Sequence, residues 1–152
     1  MIFVVIIILG LALDQLSKWL VVQSLPLGAS QDVLGSLLRL HHVQNTGAAW
    51  SMFRDSTFAL AIFSVLLLAL LLVWFFLTSP EHWGQRLALS VIISGALGNM
   101  FDRFRLGYVV DFLELPHWPV FNVADILLCC GVAALAVLIL LEERQEKQLD
   151  KK

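Results

Sequence analysis

Two aspartates near the end of the chain, Asp111 and Asp125, bracket the segment DFLELPHWPVFNVAD. Two carboxylates in one poorly hydrated site cannot both ionise, so one of them keeps a proton. The charged member can then take a proton from water while the neutral member hydrogen-bonds a carbonyl, as in aspartic proteases. This chemistry needs no metal, nucleophilic side chain or cofactor. It requires only that the two segments meet in space.

Asp125 also has a structural interpretation. In the sequence FNVAD, Asn122 is a favourable helix N-cap residue, and Asp125 follows at the third helical position, which is the spacing of a capping box. An acid there also suits the positive end of the helix dipole. On this segment alone the two interpretations carry equal weight. Asp111 differs, because it interrupts the apolar, strand-like run YVVDFLEL.

Further polar residues recur at helical spacing within apolar segments. Asp14 and Lys18 are four residues apart and can pair on one helix face. Asn99, Asp102 and Arg103 also share a face. Ionisable groups at membrane depth cost about 2.5 kcal/mol or more each. The favoured interpretation is structural: an ion pair fixes one helix against its neighbours, and Arg103 either anchors at the membrane interface or holds Asp102 and a loop carbonyl.

The composition indicates an integral membrane protein. Of the 152 residues, 59% are hydrophobic and 14% charged, and the mean hydropathy is +0.85. Soluble domains have about 45–50% apolar and about 25% charged residues. The net charge of −2 argues against a nucleic-acid partner. Cys129 and Cys130 are adjacent in an apolar segment, so they provide neither a disulfide framework nor metal-ligand spacing.

Four segments have the length and hydropathy of a membrane span. The first is interpreted as a retained span, because it has neither the basic start nor the cleavage site of a signal peptide. The third is the least apolar, and its small residues Ser90, Ser94 and Gly98 recur every four positions, where another helix can approach closely. The predicted spans cover residues 2–23, 58–77, 86–103 and 123–141.

The two long connections, at about 24–57 and 104–122, lie on the face opposite the termini. Within them SLLRLHHV and YVVDFL are rich in β-formers and are predicted to be short strands. The fold class is therefore a mainly α membrane protein with four transmembrane helices and a small β-containing cap. The whole chain, 1–152, is predicted to be one domain with a charged tail at 142–152. Basic residues divide five to four between the two faces, which barely favours termini inside.

Other hydrolytic designs fit the sequence less well. No HExxH motif is present, and the adjacent His41 and His42 lie in a predicted loop, where a metal pair is disfavoured. Ser94 lies in IISGA, which lacks the Gly-x-Ser-Gly pattern of rhomboid-type serine proteases, and no histidine lies within a span to activate it. The Gly-x-Gly-Asp motif of presenilin-like proteases is also missing. We therefore predict neither a metal nor a cofactor.

Five motifs together resemble bacterial lipoprotein signal peptidases, also called signal peptidase II. They occur in the order seen in that family, with suitable spacing, and the resemblance covers nearly the whole chain. No motif position departs from the family pattern, although basic residues often found before the first span are missing. The motifs are DQLSK (14–18), NTGAAWSMF (45–53), GALGNMFDR (95–103), GYVVDF (107–112) and FNVAD (121–125).

The resemblance implies that Asp111 and Asp125 are the catalytic dyad of a membrane-embedded aspartic endopeptidase. The implied reaction removes the signal peptide from a prolipoprotein by cleavage just before a cysteine that carries a diacylglyceryl group. The implied substrate-binding or supporting residues are Asp14, Lys18, Asn45, Gly47, Asn99, Asp102, Arg103 and Asn122.

The resemblance also implies where the protein works and what it meets. The location is the bacterial inner membrane, with cytoplasmic termini, an extracytoplasmic cap and an active site near the outer leaflet. The implied partners are prolipoproteins with a diacylglyceryl cysteine, membrane lipids, and cyclic peptide inhibitors such as globomycin.

Two other functions fit parts of the pattern. A small proton-coupled transporter or channel would use Asp14, Lys18, Asp102 and Asp125 as a relay. Transporters usually place such acids near mid-membrane between repeated halves, whereas these acids gather toward one face and no repeat is visible. A non-catalytic membrane assembly factor is the third possibility, and it predicts that Asp111→Asn would be silent.

Overall fold

The computed structural model describes residues 1–35, 37–47 and 57–149. Four of its helices are long and apolar enough to cross a membrane, and three strands form an antiparallel sheet in the order β1-β2-β3. The predicted fold class is confirmed. The elements are α1 (Ile2–Ser24), β1 (Ser30–Leu34), β2 (Leu38–Asn45), α2 (Thr57–Leu77), α3 (Trp83–Leu106), β3 (Val109–Glu114) and α4 (Val123–Leu149).

The helices extend beyond the apolar windows used to predict the spans. Helix α3 begins three residues earlier and ends three later than predicted, and α4 continues through the charged segment to Leu149. Residues 142–149 of the predicted tail are therefore helical. A hydropathy window stops at the first charges, whereas the backbone hydrogen bonds of a helix continue across them.

Helix α3 is the centre of the bundle. In its most apolar window 61% of the residues are buried, against 17% in each of the other three helices. Ser90 and Ser94 are completely buried, and Ser94 lies directly against Gly10 of α1. A Cβ atom added at Gly98 would lie 3.2 Å from Ala124 Cβ in α4. Helices α1 and α4 therefore both approach α3 closely along the predicted stripe of small residues.

The sheet covers the end of the bundle at which α3 ends and α4 begins. Gly107 ends α3 with φ 80°, a left-handed conformation that glycine adopts without strain, so β3 follows two residues later. Both predicted strands are confirmed, as β2 and β3. Strand β1 is an additional one, and its five residues are all exposed, which leaves no alternating hydrophobic pattern to predict it.

The register of β2 and β3 determines which side chains meet at the helix ends. Val43 pairs with Asp111 and Asn45 pairs with Val109, beyond an irregularity between Leu40 and Val43. The first four residues of β3 are buried. Asp111 is therefore a buried acid within a strand. Of the NTGAAWSMF motif, residues 48–53 lie outside the described residues.

Candidate active site

A cavity of about 740 Å³ lies between the sheet and helices α2, α3 and α4. Asp111 and Asp125 both line it, so the structure brings together the two aspartates that the sequence singled out. The part of its wall contributed by the helices is largely apolar. The lining includes Asn45, Gly47, Asn99 and Arg103 on the polar side and Leu60, Phe63, Leu67, Ala96 and Leu128 on the apolar side.

Asp111 is held by two side-chain amides. Its Oδ2 accepts a hydrogen bond from Asn45 Nδ2 at 2.8 Å, and its Oδ1 accepts one from Asn122 Nδ2 at 2.7 Å. The residue is only 2% exposed. This burial raises the pKa of the Asp111 carboxyl from 3.8 to about 6. The amide hydrogen bonds oppose the rise in pKa, whereas the nearby Asp125 carboxylate adds to it.

Asp125 and Asn122 form the capping box that their spacing predicts. The N–H of Asp125 donates to Asn122 Oδ1 at 3.0 Å, and the N–H of Asn122 donates to Asp125 Oδ2 at 3.1 Å. The second oxygen, Asp125 Oδ1, accepts a hydrogen bond from Asn99 Nδ2 at 2.8 Å. The structural interpretation of Asp125 is therefore correct. It does not exclude a chemical one, because the same carboxyl lines the cavity.

Asn122 links the environments of the two aspartates. Its side chain is completely buried, and its Nδ2 donates to Asp111 Oδ1 and, at 3.0 Å, to Asn99 Oδ1. Its Oδ1 caps α4 at the N–H of Asp125. One amide thus fixes the strand that carries Asp111 and the helix that carries Asp125, and a change at this residue affects both.

A buried ion network lies behind the two aspartates. Lys18 Nζ lies 2.9 Å from Asp14 Oδ2 and 2.9 Å from Asp102 Oδ2, and it donates to Asn99 Oδ1 at 3.1 Å. The predicted pairing of Asp14 with Lys18 is confirmed. We call Asp14, Lys18 and Asp102 the Lys18 network. All three are at most 3% exposed, so one ammonium group offsets two carboxylates away from water.

The Lys18 network holds the backbone just before each candidate catalytic aspartate. Asp14 Oδ1 accepts the N–H of Ala124, the residue before Asp125, at 2.9 Å. Asp102 Oδ2 accepts the N–H of Val110, the residue before Asp111, at 3.1 Å. Because Lys18 joins the two carboxylates, this network constrains the spacing between the start of α4 and β3.

Gln15 belongs to the same cluster and was not predicted. Its Nε2 lies 2.9 Å from Asp102 Oδ1, 3.1 Å from Asp14 Oδ2 and 3.3 Å from the carbonyl oxygen of Gly98. The available signal was an amide inside an apolar span, beside an acid. Its partner on α3 is 87 positions away in sequence, so no local spacing could indicate it.

Arg103 and Gly47 also line the cavity. Arg103 Nη1 lies 3.4 Å from both Ser64 Oγ and the carbonyl oxygen of Asn99. These are its hydrogen-bond partners within the described residues, where it is not bonded to Asp102, and Ser64 was not predicted. The N–H of Gly47 donates to Asn45 Oδ1 at 3.0 Å, which orients the Asn45 amide toward Asp111.

The histidine pair does not converge on a common point. His41 Nδ1 lies 3.4 Å from Glu114 Oε2, whereas His42 Nδ1 lies 2.8 Å from the carbonyl oxygen of Leu25. Across residues 1–35, 37–47 and 57–149, no group of three or more histidine, cysteine, aspartate or glutamate side chains is placed to hold a metal ion.

The family model of signal peptidase (SPase) II matches residues 6–141. The chain belongs to the signal peptidase II family. Lipoprotein signal peptidases from Moorella thermoacetica and Geobacter sulfurreducens are each 40% identical to it. The first alignment covers 91% of this chain and 93% of the relative, and the second covers 95% of both. Membership of this peptidase family favours the peptidase interpretation over a transporter or channel.

Two solved structures of bacterial membrane enzymes have the same fold as this signal peptidase II chain. A bacterial membrane enzyme determined by the in meso method at 2.3 Å resolution has a TM-score of 0.87 and 29% identity, covering 95% of this chain and 90% of that one. A second, at 1.9 Å resolution, has a TM-score of 0.82 and 29% identity, covering 91% and 92%. This signal peptidase II family member is thus a multi-pass membrane peptidase.

Proposed function

We propose that this protein is a membrane-embedded aspartic endopeptidase that removes signal peptides from diacylglyceryl-modified prolipoproteins. The cleaved bond immediately precedes the lipidated cysteine, and Asp111 and Asp125 form the catalytic dyad. The observation that carries the proposal is that both carboxyls line one cavity and accept hydrogen bonds from one buried residue, Asn122. Its side-chain amide donates to Asp111 Oδ1, and its backbone N–H donates to Asp125 Oδ2. Membership of the signal peptidase II family supports the reaction class.

The two carboxyls have different surroundings, and this difference suggests their roles. Asp125 accepts a backbone N–H and an Asn99 N–H at the N-terminus of α4, where the helix dipole favours negative charge. Asp111 lies in a strand, buried, with its pKa raised to about 6. We assign the proton of the resting pair to Asp111 and the negative charge to Asp125.

The proposed chemistry follows from these roles. Asp125 removes a proton from water as the water oxygen attacks the scissile carbonyl carbon, and Asp111 transfers its proton to the carbonyl oxygen. In the tetrahedral intermediate the carbon–nitrogen bond then breaks. The proton held by Asp125 moves to the leaving cysteine nitrogen, and Asp111 regains its proton as the new carboxyl group forms.

The other polar residues would support this reaction. Asn45 and Gly47 orient Asp111, Asn99 holds Asp125, and Arg103 faces the cavity where it can contact substrate. The apolar wall formed by α2, α3 and α4 would accept the acyl chains, at about 0.8 kcal/mol for each buried methylene. Cyclic peptides resembling globomycin would compete for the same cavity.

We infer that the chain is one domain, 1–152, of the bacterial inner membrane. Successive spans alternate in direction, so the two long connections and the sheet lie on one face and both termini on the other. Placing the termini in the cytoplasm sets the cavity near the outer leaflet. There a lipidated cysteine and the end of a signal helix are both embedded, so a dyad at the membrane edge would lie next to the bond that is cleaved.

The test uses purified protein in detergent with a diacylglyceryl-modified prolipoprotein, following cleavage by gel shift and mass spectrometry. Wild type, Asp111→Asn and Asp125→Asn are compared with Glu143→Gln, which changes an exposed acid elsewhere. We expect the wild type and Glu143→Gln to cut before the cysteine and both dyad variants to be inactive although folded. Equal cleavage by Asp125→Asn would show that Asp125 is only a helix cap.

A further inference from the structure

A second cavity, of about 830 Å³, lies in the cap between the β1–β2 hairpin and the segment 115–119. We call it the outer pocket. Its lining residues all lie outside the four helices, whereas the walls of the candidate active-site cavity include α2, α3 and α4. Trp118 and Pro119 line both cavities, and Trp118 is 66% exposed. The outer pocket therefore borders the candidate active site on the side away from the spans.

We propose that the outer pocket binds the stretch of prolipoprotein that follows the lipidated cysteine. This inference rests on the proposed function. In that function the acyl chains and the signal helix occupy the membrane side of the cavity, so the polypeptide beyond the cysteine must leave across the cap. Trp118 and Pro119 provide a route from one cavity to the other.

The distance along β3 indicates which substrate positions reach the outer pocket. Asp111, in the candidate dyad, and Glu114, in the outer pocket, are three residues apart, which corresponds to about 10 Å of strand. An extended substrate covers the same length in about three residues. Because side chains alternate along β3, the two residues lie on opposite faces, and passage around Trp118 adds length. We therefore assign positions three to six after the cleaved bond to the outer pocket.

The charges of the outer pocket determine which substrate side chains it prefers. Arg39 Nε lies 2.8 Å from Asp32 Oδ1, and Arg39 Nη1 lies 3.9 Å from Glu114 Oε2. Two carboxylates thus surround one guanidinium, which leaves a net charge of −1 when His117 and His41, which contacts Glu114, are neutral. The side chains of Asp32, Arg39 and Glu114 are 65%, 43% and 28% exposed, so a bound chain can reach all three. Lysine or arginine is therefore favoured over glutamate at these substrate positions.

The experiment compares two lipidated peptides that differ only in lysine or glutamate at positions three to six after the cleaved bond. For the wild type we expect the lysine peptide to have about threefold higher kcat/KM, carried by KM, because partly exposed charge pairs are worth little. Raising the salt concentration should weaken this preference. Ending the peptide one residue after the cysteine, at position two, removes all four variable positions and should raise KM.

Variants of the outer pocket should move the preference in opposite directions. Arg39→Gln makes the pocket more negative and should increase the preference for lysine. Asp32→Asn combined with Glu114→Gln leaves Arg39 unopposed and should reverse the preference, whereas Glu143→Gln should not alter it. Cleavage without any effect of charge or length would overturn this proposal alone. Failure to cleave any lipidated peptide would instead count against the proposed function.

Discussion

The carboxylate of Asp14 accepts a hydrogen bond from the backbone N–H of Ala124, which lies 110 positions further along the chain. This contact fixes the first turn of α4 from outside the helix, one residue before Asp125. The Asp102 carboxylate likewise accepts the backbone N–H of Val110, the residue before Asp111, and Lys18 joins the two carboxylates. The Lys18 network is thus suited to hold two pieces of backbone at a set spacing, although none of its members lines the candidate active-site cavity.

Removing the ammonium should therefore destabilise the protein strongly. Lys18→Met leaves two buried carboxylates without their cation, which costs about 3–5 kcal/mol for a broken buried pair. Thermal unfolding in detergent measures the loss. The matched control is Lys147→Met, which removes the exposed lysine of another i, i+4 pair, with Glu143. That variant should unfold like the wild type.

The losses of stability caused by two substitutions in the Lys18 network should not add. Asp14→Asn combined with Lys18→Met leaves one unpaired carboxylate, Asp102, where Lys18→Met alone leaves two. The double variant should therefore be less destabilised than the sum of the two single variants. Additive losses would show that Asp14 and Lys18 act separately.

Raising the pH should remove the proton that the mechanism assigns to Asp111. Its pKa in the folded protein is about 6, against an ordinary value of 3.8, because the carboxyl is buried. The proton-donating form is therefore present below about pH 6 and lost above it. We expect kcat/KM to fall on the alkaline side with an apparent pKa near 6. A profile that stays flat from pH 5 to 8 would contradict the assigned role.

The raised pKa of Asp111 also makes stability depend on pH in a defined direction. Between pH 3.8 and about 6 the folded state binds more protons than the unfolded state, so stability falls as the pH rises through this window. Asp111→Asn cannot titrate, so its melting temperature should fall less over the same range. Comparing wild type and variant across the window isolates this residue from the other carboxyls. Parallel curves would mean that Asp111 titrates normally.

Local spacing in the sequence predicted several parts of this arrangement. The i, i+4 spacing of Asp14 and Lys18 indicated their ion pair, and the i, i+3 spacing of Asn122 and Asp125 indicated the capping box. Both rules concern neighbours on one helix. The recurrence of small residues likewise indicated where helices approach α3, as the contact between Ser94 and Gly10 shows.

Contacts between distant segments could not be predicted in the same way. The hydrogen bonds from Ala124 to Asp14 and from Val110 to Asp102 involve backbone N–H groups, which every residue except proline possesses. No residue type marks them in the sequence. The family resemblance included Asp14 and Asp102 among the supporting residues. Their backbone partners, Ala124 and Val110, came only from the structure.

Substituting Asn122 should separate stability from activity. Asn122→Ala removes both the cap of α4 and the amide bonded to Asp111, so we expect about 1–2 kcal/mol of destabilisation and loss of cleavage. Asn122→Ser restores a capping oxygen without the amide. It should recover most of the stability but not the activity, as measured by thermal unfolding and lipopeptide cleavage. Recovery of both would show that Asn122 is only a cap.

The tight contact at Gly98 gives a paired test on one helix. A Cβ atom at Gly98 would collide with Asp14 Oδ2 and approach Ala124 Cβ to 3.2 Å, displacing the carboxylate that holds the start of α4. Gly98→Ala should therefore lower both the melting temperature and kcat. At Gly84, also in α3, the three atoms nearest to the new one all belong to the flexible Leu138 side chain, the first at 3.3 Å. Gly84→Ala gains helix propensity and should remain active. An equal loss of melting temperature and kcat in both variants would instead indicate that any added methyl group on α3 disrupts the bundle.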